Sequence, residues 1–535
     1  MKKAKYALIS VFDKAGIVEF ARELVALGWT ILSSGGTAKV LREAGIGVTD
    51  VATMVGKPIL GHRVVTLSRE IHAGLLARPI AEDLAELEAE AIPFIDMVVN
   101  DMYPLQSEIA RPESTPESVI EKTDIGGPTL LRSAAKGRRI VVCDAFDRQR
   151  VIRWLKDGEP DREAFITKLV AKAEFTVAKY VMASAQYHSS GGYDGVFGKQ
   201  FAMCKYGENA SQTPAVVYTT GSGDPMAVDS FELVAGTAPS SNNWCDIDRL
   251  VQTITHIAAS FDVNRGIVPR VAVAVKHGNP CGAAFSGSPE AVIWRVVDGD
   301  PLAIFGGFLM LNFPVTAEIA ETILTHGMPE GARRLLDGIV APSFDDDTID
   351  QLKRKGDKCR LMVNPALEKL NRRSLDTATR FRYLRGGFST QPNYLYVPDF
   401  NDPELKKYGQ ATPVQESDLL LAIAVCHTSN SNTVTLVKDE MLIGDGVGQQ
   451  ARVYGARLAI TRARSCKHDI QGAVAASDSF FPETDGVIAL ERAGVKAVFT
   501  TSGSVRDKKV IKYCQDKGIV LYMIPDSKGR GFFGH

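Results

Sequence analysis

A histidine beside a lysine, followed by a tight glycine turn, is the first chemical feature of this chain: Lys276-His277-Gly278-Asn279-Pro280-Cys281-Gly282. Imidazole titrates near neutrality and can take a proton from an incoming amine, while an adjacent ammonium lowers the cost of anionic charge. The apolar run Val271–Val275 ahead of the pair predicts an alternating strand, which sets both groups at the mouth of a sheet, where α/β proteins hold ligands. A strand-end histidine with a purely structural role fits the same residues. A second candidate is Ser33-Ser34-Gly35-Gly36-Thr37, at a strand end before the predicted helix Ala38–Glu43. Small residues there let backbone N–H groups approach a phosphate, and Lys14 in Asp13-Lys14-Ala15-Gly16 could reach the same corner. An ordinary glycine turn with a serine cap is the competing reading.

A third candidate is Asp124-Ile125-Gly126-Gly127-Pro128-Thr129, with Arg132 and Lys136 following at helical spacing. The glycine pair permits close ligand approach and Asp124 can accept from an amide, although a solvated charged helix face reads the same way. Tyr103-Pro104, after the predicted strand Met97–Asn100, is a ligand contact or a buried aromatic. Gly444-Asp445-Gly446-Val447-Gly448-Gln449 fails the dinucleotide template, because Gln449 stands where a glycine is needed and the preceding strand predicts a hairpin through Lys438-Asp439-Glu440. No triphosphate loop, zinc-protease motif, serine-hydrolase elbow or clustered metal-ligand spacing occurs in the chain.

Positioning these groups requires alternating strands and helices. The chain supplies them from Tyr6–Val11 and Val18–Leu27 onward, with Phe20, Leu24 and Leu27 on one helix face. The pattern recurs at Thr30–Leu32, Met97–Asn100 after a helical Ala81–Glu90, and Arg139–Cys143, which predicts a first α/β domain closed by the helix Arg162–Tyr187. The glycine-rich patch Ser189–Gly198 and the loop Gly207–Pro214 read as a hinge. Beyond it, Val271–Val275, Thr433–Val437, Ala497–Thr500 and Ile519–Ile524 predict strands of one large α/β region without a fixed-period repeat.

At 535 residues the chain is long enough for several domains. Lysine and arginine total 62 against 63 acidic residues, so the broad positive field that nucleic acid or an anionic membrane would need is absent. The eight scattered cysteines read as reduced thiols of a cytoplasmic protein. The basic start is followed by too short and too charged a segment for a signal peptide, and no apolar run is long enough to span a membrane.

Taken together, these strings resemble one family, the bifunctional purine biosynthesis enzymes that join aminoimidazole carboxamide ribonucleotide formyltransferase to inosine monophosphate cyclohydrolase. The resemblance runs nearly end to end through LISVFDKAGIVEFARELVALGW, SSGGTAKVLREAGI, DIGGPTLLRSAAK, KYGENASQ, SNNWCD, VKHGNPCGAA, DPLAIFGGF, RGGFSTQ, SNTVTLVKDEMLIGDGVGQQARVYGARLA and SDSFFPETDGV. It implies an N-terminal methylglyoxal-synthase-like domain over residues 1–195 and a formyltransferase region over 196–535, built of two cytidine-deaminase-like subdomains without zinc. It also implies a homodimer that uses a ribonucleotide and 10-formyltetrahydrofolate, with no metal.

By the same resemblance Lys276 and His277 are the catalytic pair, with His277 as general base, and Asn432 steadies the oxyanion. Lys205, Tyr206, Gly207, Asn209, Asn243, Asp300, Gly386, Gly387 and Phe388 hold the nucleotide. Gln449, Phe480 and Asp485 face the folate. The cyclohydrolase-type site takes Ser10, Lys14, Ser34, Gly35, Gly36, Thr37, Arg63, Thr66, Asn100, Tyr103, Asp124, Gly126, Gly127 and Lys136. A non-catalytic relative that binds purine ribonucleotides is the alternative.

The chain departs from the family mainly in the first half. Where the family reads R-V-K-T-L-H-P, this chain has Arg63-Val64-Val65-Thr66-Leu67-Ser68-Arg69, so a lysine has become Val65 and His-Pro has become Ser68-Arg69. In the second half Lys205 replaces an arginine, His427 a lysine, Ala303 a serine and Thr484 an arginine, and the tail Arg530–His535 is offset. The missing cation puts cyclisation in doubt, since that reaction builds negative charge on oxygen.

Overall fold

The computed structural model describes residues 4–60 and 64–534 and divides into two compact units, Met1–Phe197 and Gly198–His535. The first is a parallel sheet of β1 (Lys5–Ile9), β2 (Trp29–Ser33), β3 (Val48–Asp50), β4 (Ile95–Val99) and β5 (Ile140–Val142), in the order β3-β2-β1-β4-β5. Successive side chains of a strand point to opposite faces, and here both faces are apolar. Ala7, Ile9, Met97, Val99, Ile140 and Val142 join one cluster with the helix Ile17–Ala26, while Leu8, Val98 and Val141 join another with the helices Arg69–Leu76 and Gly126–Lys136. Helices on both sides are what a parallel sheet requires, since each βαβ crossover lays a helix on one face or the other. The strand order reverses between β1 and β4, which opens a crevice at their C-terminal ends.

In the second unit β6 (Lys199–Cys204) and β7 (Ala215–Thr219) form a hairpin, so the predicted hinge loop Gly207–Pro214 is instead the connection within it. The strands that follow are β8 (Glu232–Ala235), β9 (Arg270–Lys276), β10 (Asn279–Ser286), β11 (Phe308–Leu311), β12 (Gly338–Ala341) and β13 (Arg360–Val363). A second hairpin, β14 (Thr379–Leu384) with β15 (Gly387–Pro392), precedes β16 (Lys406–Tyr408), β17 (Val434–Lys438), β18 (Met441–Gly446), β19 (Val474–Ser477), β20 (Ala497–Ser502) and β21 (Val520–Pro525). Twelve of these make one sheet in the order β16-β21-β20-β19-β17-β18-β10-β9-β11-β12-β13-β8.

This order is a topological repeat. Each half has an antiparallel hairpin (β9/β10, β17/β18), three mutually parallel strands (β11–β13, β19–β21) and an antiparallel edge strand (β8, β16), and β10 meets β18 at the join. The long helices Ser241–Arg265 and Pro413–His427 enter the two halves, each opened by a reciprocal capping box, Ser240 with Asn243 and Thr412 with Gln415. Both lie in one shared core, while the opposite face of each half is covered by its own set of shorter helices. No period is visible in the sequence because packing constrains the apolar character of a strand, not its residue identities or loop lengths. The strand expected to alternate at Val271–Val275 is buried throughout, as a central strand with helices on both faces must be. The hairpin through Asp439-Glu440 is present as predicted.

Candidate functional site

In the first unit the residues at the switch point converge. Ser10 continues β1 by donating its N–H to the Val99 carbonyl at 2.9 Å, and Asn100 Nδ2 donates to the Ser10 carbonyl at 2.7 Å, tying together the ends of β1 and β4. Asn100 Oδ1 is buried without a partner among the described residues and faces the Gly126-Gly127 turn, where a Cβ on Gly127 would come within 2.8 Å of it and 2.5 Å of Asp124 Oδ2. Glycine is therefore required at 127 by close approach. Asp124 accepts from the N–H groups of Gly127 at 2.8 Å and Tyr103 at 3.2 Å, while burial raises its pKa against those bonds. Thr66 Oγ1 lies 3.4 Å from the Cβ position of Gly126.

The serine-glycine segment is the first turn of the helix Gly35–Glu43 rather than a separate loop. Ser34 occupies the cap position without a side-chain cap bond, so first-turn N–H groups remain available to an anion. Thr37 Oγ1 exchanges hydrogen bonds with the backbone of Val11, and Lys14 Cε lies 4.0 Å from the Cβ position of Gly36. Burial lowers the Lys14 pKa, with Asp101 and Asp13 opposing the shift. Tyr103 is 46% exposed, not a buried aromatic, and its ring meets Phe12 edge-on at 5.6 Å. Lys136 is at the far end of its helix, about 15 Å from Gly126 by helical rise, and the structure does not bring it to this cluster. Arg63 lies outside the described residues. Asp101, which accepts from the N–H groups of Phe12 and Asp13, was missed in the sequence; an acidic residue just past a strand end is the signal that could have found it.

The departures in this unit are absorbed locally. Val65 packs against the core cluster around Leu8 and Ile71, and Ser68 caps the helix Arg69–Leu76 by accepting from the Ile71 N–H at 3.3 Å. Arg69 pairs with Glu90 at 2.5 Å.

In the second unit His277 and Gly278 are the two central residues of the β9–β10 turn, both with positive φ. Lys276 Nζ donates to the Phe305 carbonyl at 2.7 Å. Asp246 Oδ1 accepts from the Gly278 N–H at 2.7 Å; burial raises the Asp246 pKa, and that bond and His277 counter it. One helical turn along, Arg249 donates to the Thr428 carbonyl and, at 3.2 Å, to Asn430 Oδ1. Adjacent turns of one helix thus hold the loop carrying His277 and the loop carrying Asn432. Sequence reasoning missed both anchors, which are charged residues inside a largely buried helix.

Asn432 and Gln449 exchange backbone hydrogen bonds at 3.1 Å, and Asn432 Nδ2 donates to the Gln449 carbonyl at 2.8 Å. Asn432 Oδ1 accepts from Arg452 Nη2 at 2.8 Å, and Arg452 is ion-paired with the fully buried Asp478. Asn432, Arg452, Phe480, Asp485 and Arg530 line a cavity of about 490 Å3, whose lining does not include Lys276 or His277. Gln449 turns its side chain onto the Val447 carbonyl. Arg452 was also missed, although its place at a helix N-terminus, where a cation is unfavourable, marks it as held by a carboxylate.

The remaining nucleotide candidates are dispersed over this unit. Lys205, Tyr206, Gly207 and Asn209 sit in the β6–β7 connection, where the Asn209 N–H donates to Gln212 Oε1 at 2.8 Å and Asn242 Nδ2 reaches the Glu208 carbonyl. Asn243 uses its side-chain oxygen in the helix cap. Asp300 accepts from the Ala303 N–H at 2.9 Å, and with Lys276 it acts on the thiol of Cys281, which burial pushes up to about 12. Gly386 is in the β14–β15 turn and Gly387 and Phe388 begin β15, on a hairpin exposed along nearly its whole length. Among the described residues no three His, Cys, Asp or Glu side chains gather as a metal site, and no helix is long and apolar enough to cross a membrane.

His427, where a lysine was expected, is buried with Tyr394 OH at 2.9 Å from Nδ1 and no partner for Nε2. Burial, with a smaller contribution from His256, lowers its pKa to about 3. Above the ordinary pKa of about 6.5 it is neutral folded or unfolded; as the pH falls from there toward 3 the unfolded chain takes a proton that the native state refuses, so stability is lost. At pH 5 the expected loss is about 2 kcal/mol relative to pH 8. Urea midpoints at the two pH values should show it, and His427→Gln should flatten the difference.

A doubly wound unit with a switch point and a second unit with a duplicated sheet and its own cavity define a two-unit α/β protein. Residues 16–129 match the family described as "MGS-like domain", so the first unit is of methylglyoxal-synthase-like type. Residues 134–462 match "AICARFT/IMPCHase bienzyme", and the chain belongs to that family. Similar proteins include "Bifunctional purine biosynthesis protein PurH" of Persephonella marina, 34% identical over 96% of this chain and 97% of its own. The proteins of that name from Chlorobium phaeobacteroides and Deinococcus deserti are 33% and 34% identical, each over 97% of this chain and 97% and 98% of their own length. A solved structure titled "Crystal structure of ForH" is 33% identical, covers 35% of this chain and 100% of its own, and has a TM-score of 0.31, too low to bear on the fold.

Proposed function

We propose that this chain transfers the formyl group of 10-formyltetrahydrofolate to the amine of aminoimidazole carboxamide ribonucleotide in purine biosynthesis. The observation that carries the reading is Asn432 fixed by Arg452 at the wall of a cavity, with the Lys276-His277 turn anchored to the same helix as the Asn432 loop. In this reading the amine nitrogen attacks the formyl carbon while His277 takes its proton, and Lys276 assists the transfer. One N–H of the Asn432 amide is committed to Gln449, which leaves the other to donate to the oxyanion of the tetrahedral intermediate. Breaking the bond from the formyl carbon to N10 then releases tetrahydrofolate, whose N10 is reprotonated. The amine is a poor nucleophile because its lone pair is shared with the imidazole and carboxamide, so orientation must supply much of the rate.

Phe480 and Asp485 line the cavity and are assigned to the pterin, with Gln449 beside Asn432. Lys205, Tyr206, Gly207, Asn209, Asn243, Asp300 and the Gly386-Gly387-Phe388 segment are assigned to the ribonucleotide. Their dispersal supports a homodimer in which each site draws on both copies. The β14–β15 hairpin exposes Phe381, Tyr383, Leu384 and Phe388 by 41–72%, and a two-stranded ribbon with apolar residues on its surface gains stability when a partner covers it. We place the enzyme in the cytoplasm, where its folate and nucleotide substrates are.

The first unit is assigned ribonucleotide binding through Ser10, Lys14, Ser34–Thr37, Thr66, Asn100, Tyr103, Asp124, Gly126 and Gly127, with Arg63 as a further contact. Its cyclohydrolase turnover is weakened by Val65. Incubating purified protein with ribonucleotide and 10-formyltetrahydrofolate, and following tetrahydrofolate and inosine monophosphate separately, tests both halves. No tetrahydrofolate release refutes formyl transfer. Val65→Lys should raise inosine monophosphate formation by about tenfold or more, as a restored cation near developing charge predicts. An unchanged rate would locate the defect at Ser68-Arg69 instead.

A further inference from the structure

The two halves of the twelve-strand sheet differ at one outer corner. Between the helix Ala317–Thr325 and β12 the first half carries twelve residues, 326–337, where the second half has three, 494–496. Between the helix Asp346–Leu352 and β13 it carries seven, 353–359, against three, 517–519. Both insertions border the same cavity of about 600 Å3, within the range of small-molecule sites. The extra chain closes no gap in the sheet, since the shorter connections of the second half serve the same topology.

The cavity has an apolar floor that includes Leu336, Ile339 and Leu352, and a basic rim. Three rim cations are answered by carboxylates: Arg333 by Glu321, Lys353 by Asp350 and Arg354 by Asp337. Among the described residues Lys355 and Lys358 have no such partner. Arg334, 3% exposed, spends its terminal nitrogens on the carbonyls of Ile323 and His326, and its Nε is buried without an acceptor. Asp298 faces the Arg334 guanidinium, so the free charge of the rim is that of Lys355 and Lys358, and two exposed ammonium groups beside an apolar floor fit an anion attached to a flat apolar body.

We propose that this corner is a second binding site, separate from the Asn432 cavity, for a phosphorylated metabolite bearing a ring. Its phosphates lie against Lys355 and Lys358, and its ring lies on the apolar floor. The wall segment Arg334–Asp337 is tied to the loop that seats Lys276, because the Gly306 N–H donates to the Leu335 carbonyl at 2.7 Å and the Phe305 carbonyl receives Lys276 Nζ. A ligand that orders this wall therefore bears on the turn that seats Lys276.

Hydrogen–deuterium exchange on the full chain with millimolar ADP as probe reads this site apart from any ribonucleotide site. ADP should protect the amides of 326–337 and 353–359, with inorganic pyrophosphate at least about tenfold weaker because it lacks the ring. Lys355 and Lys358 are exposed, so Lys355→Gln/Lys358→Gln should fold normally, keep formyl transfer at its basal rate and weaken the ADP protection by about tenfold or more. Absence of protection at both segments, equal protection by pyrophosphate, or protection unchanged in the double variant would each overturn the proposal.

Discussion

Replacing Arg452 by methionine should destabilise the second unit by about 3–5 kcal/mol, the usual cost of removing one partner of a buried ion pair. The Arg452 side chain is 9% exposed and that of Asp478 not at all, so the remaining carboxylate would have neither a counter-charge nor solvent. Among the described residues Asp478 Oδ2 has no hydrogen-bond partner, which leaves the pair with Arg452 as the main compensation for burying that charge. Arg452 also donates to Ser477 Oγ at 2.8 Å and to Asn432 Oδ1, so the same substitution removes one of the two contacts that orient the Asn432 amide, the proposed oxyanion donor. Urea denaturation gives the stability term, and formyl transfer measured on the folded fraction gives the second. Arg452→Met/Asp478→Asn should recover most of the stability, because no buried charge is left unpaired, but not the transfer rate. A loss below about 1 kcal/mol in the single variant would mean that the pair is solvated rather than buried.

The second large effect is at His277. His277→Asn should lower formyl transfer by about 10² or more, as loss of a general base does, while ribonucleotide binding survives. The same change should leave the protein equally stable or slightly more so. A two-residue turn with positive φ at both centres favours asparagine, aspartate and glycine, and His277 at φ 55° holds a conformation costing about 1 kcal/mol in an ordinary L-residue. A histidine kept there for structure would show the opposite pairing, lost stability with retained turnover. Thermal midpoints and kcat from one preparation decide between the two.

Much of the architecture was legible from hydrophobic pattern alone. Phe20 and Leu24 mark the buried face of the first helix, Tyr6–Val11 and Met97–Asn100 mark the strands beside the switch point, and Asp439-Glu440 marks a hairpin turn. Each is a local property, set by side-chain period or turn chemistry within a few residues. The strings around Lys276, Asn432 and Asp124 were legible for a different reason: those residue types at those spacings already identified the family. Other features depended on distant chain segments. That β1 and β4 are neighbours, so that Asn100 reaches Ser10 across 90 residues of sequence, is a matter of strand order. That Lys136 is at the far end of its helix from Gly126 follows from a helix rising about 1.5 Å per residue.

The sequence by itself determined the alternation of strands and helices and the candidate groups for chemistry, because residue type and local periodicity carry that information, and the resemblance of its motif strings pointed to the family. Only the tertiary structure decided that the second unit is a duplicated sheet, that Asp246 and Arg249 hold two distant loops on adjacent turns of one helix, and that Arg452 and Asp478 fix Asn432 at a cavity wall. Those relations arise from packing between segments 20 to 179 residues apart, which depends on shape and burial and leaves little trace in either segment alone.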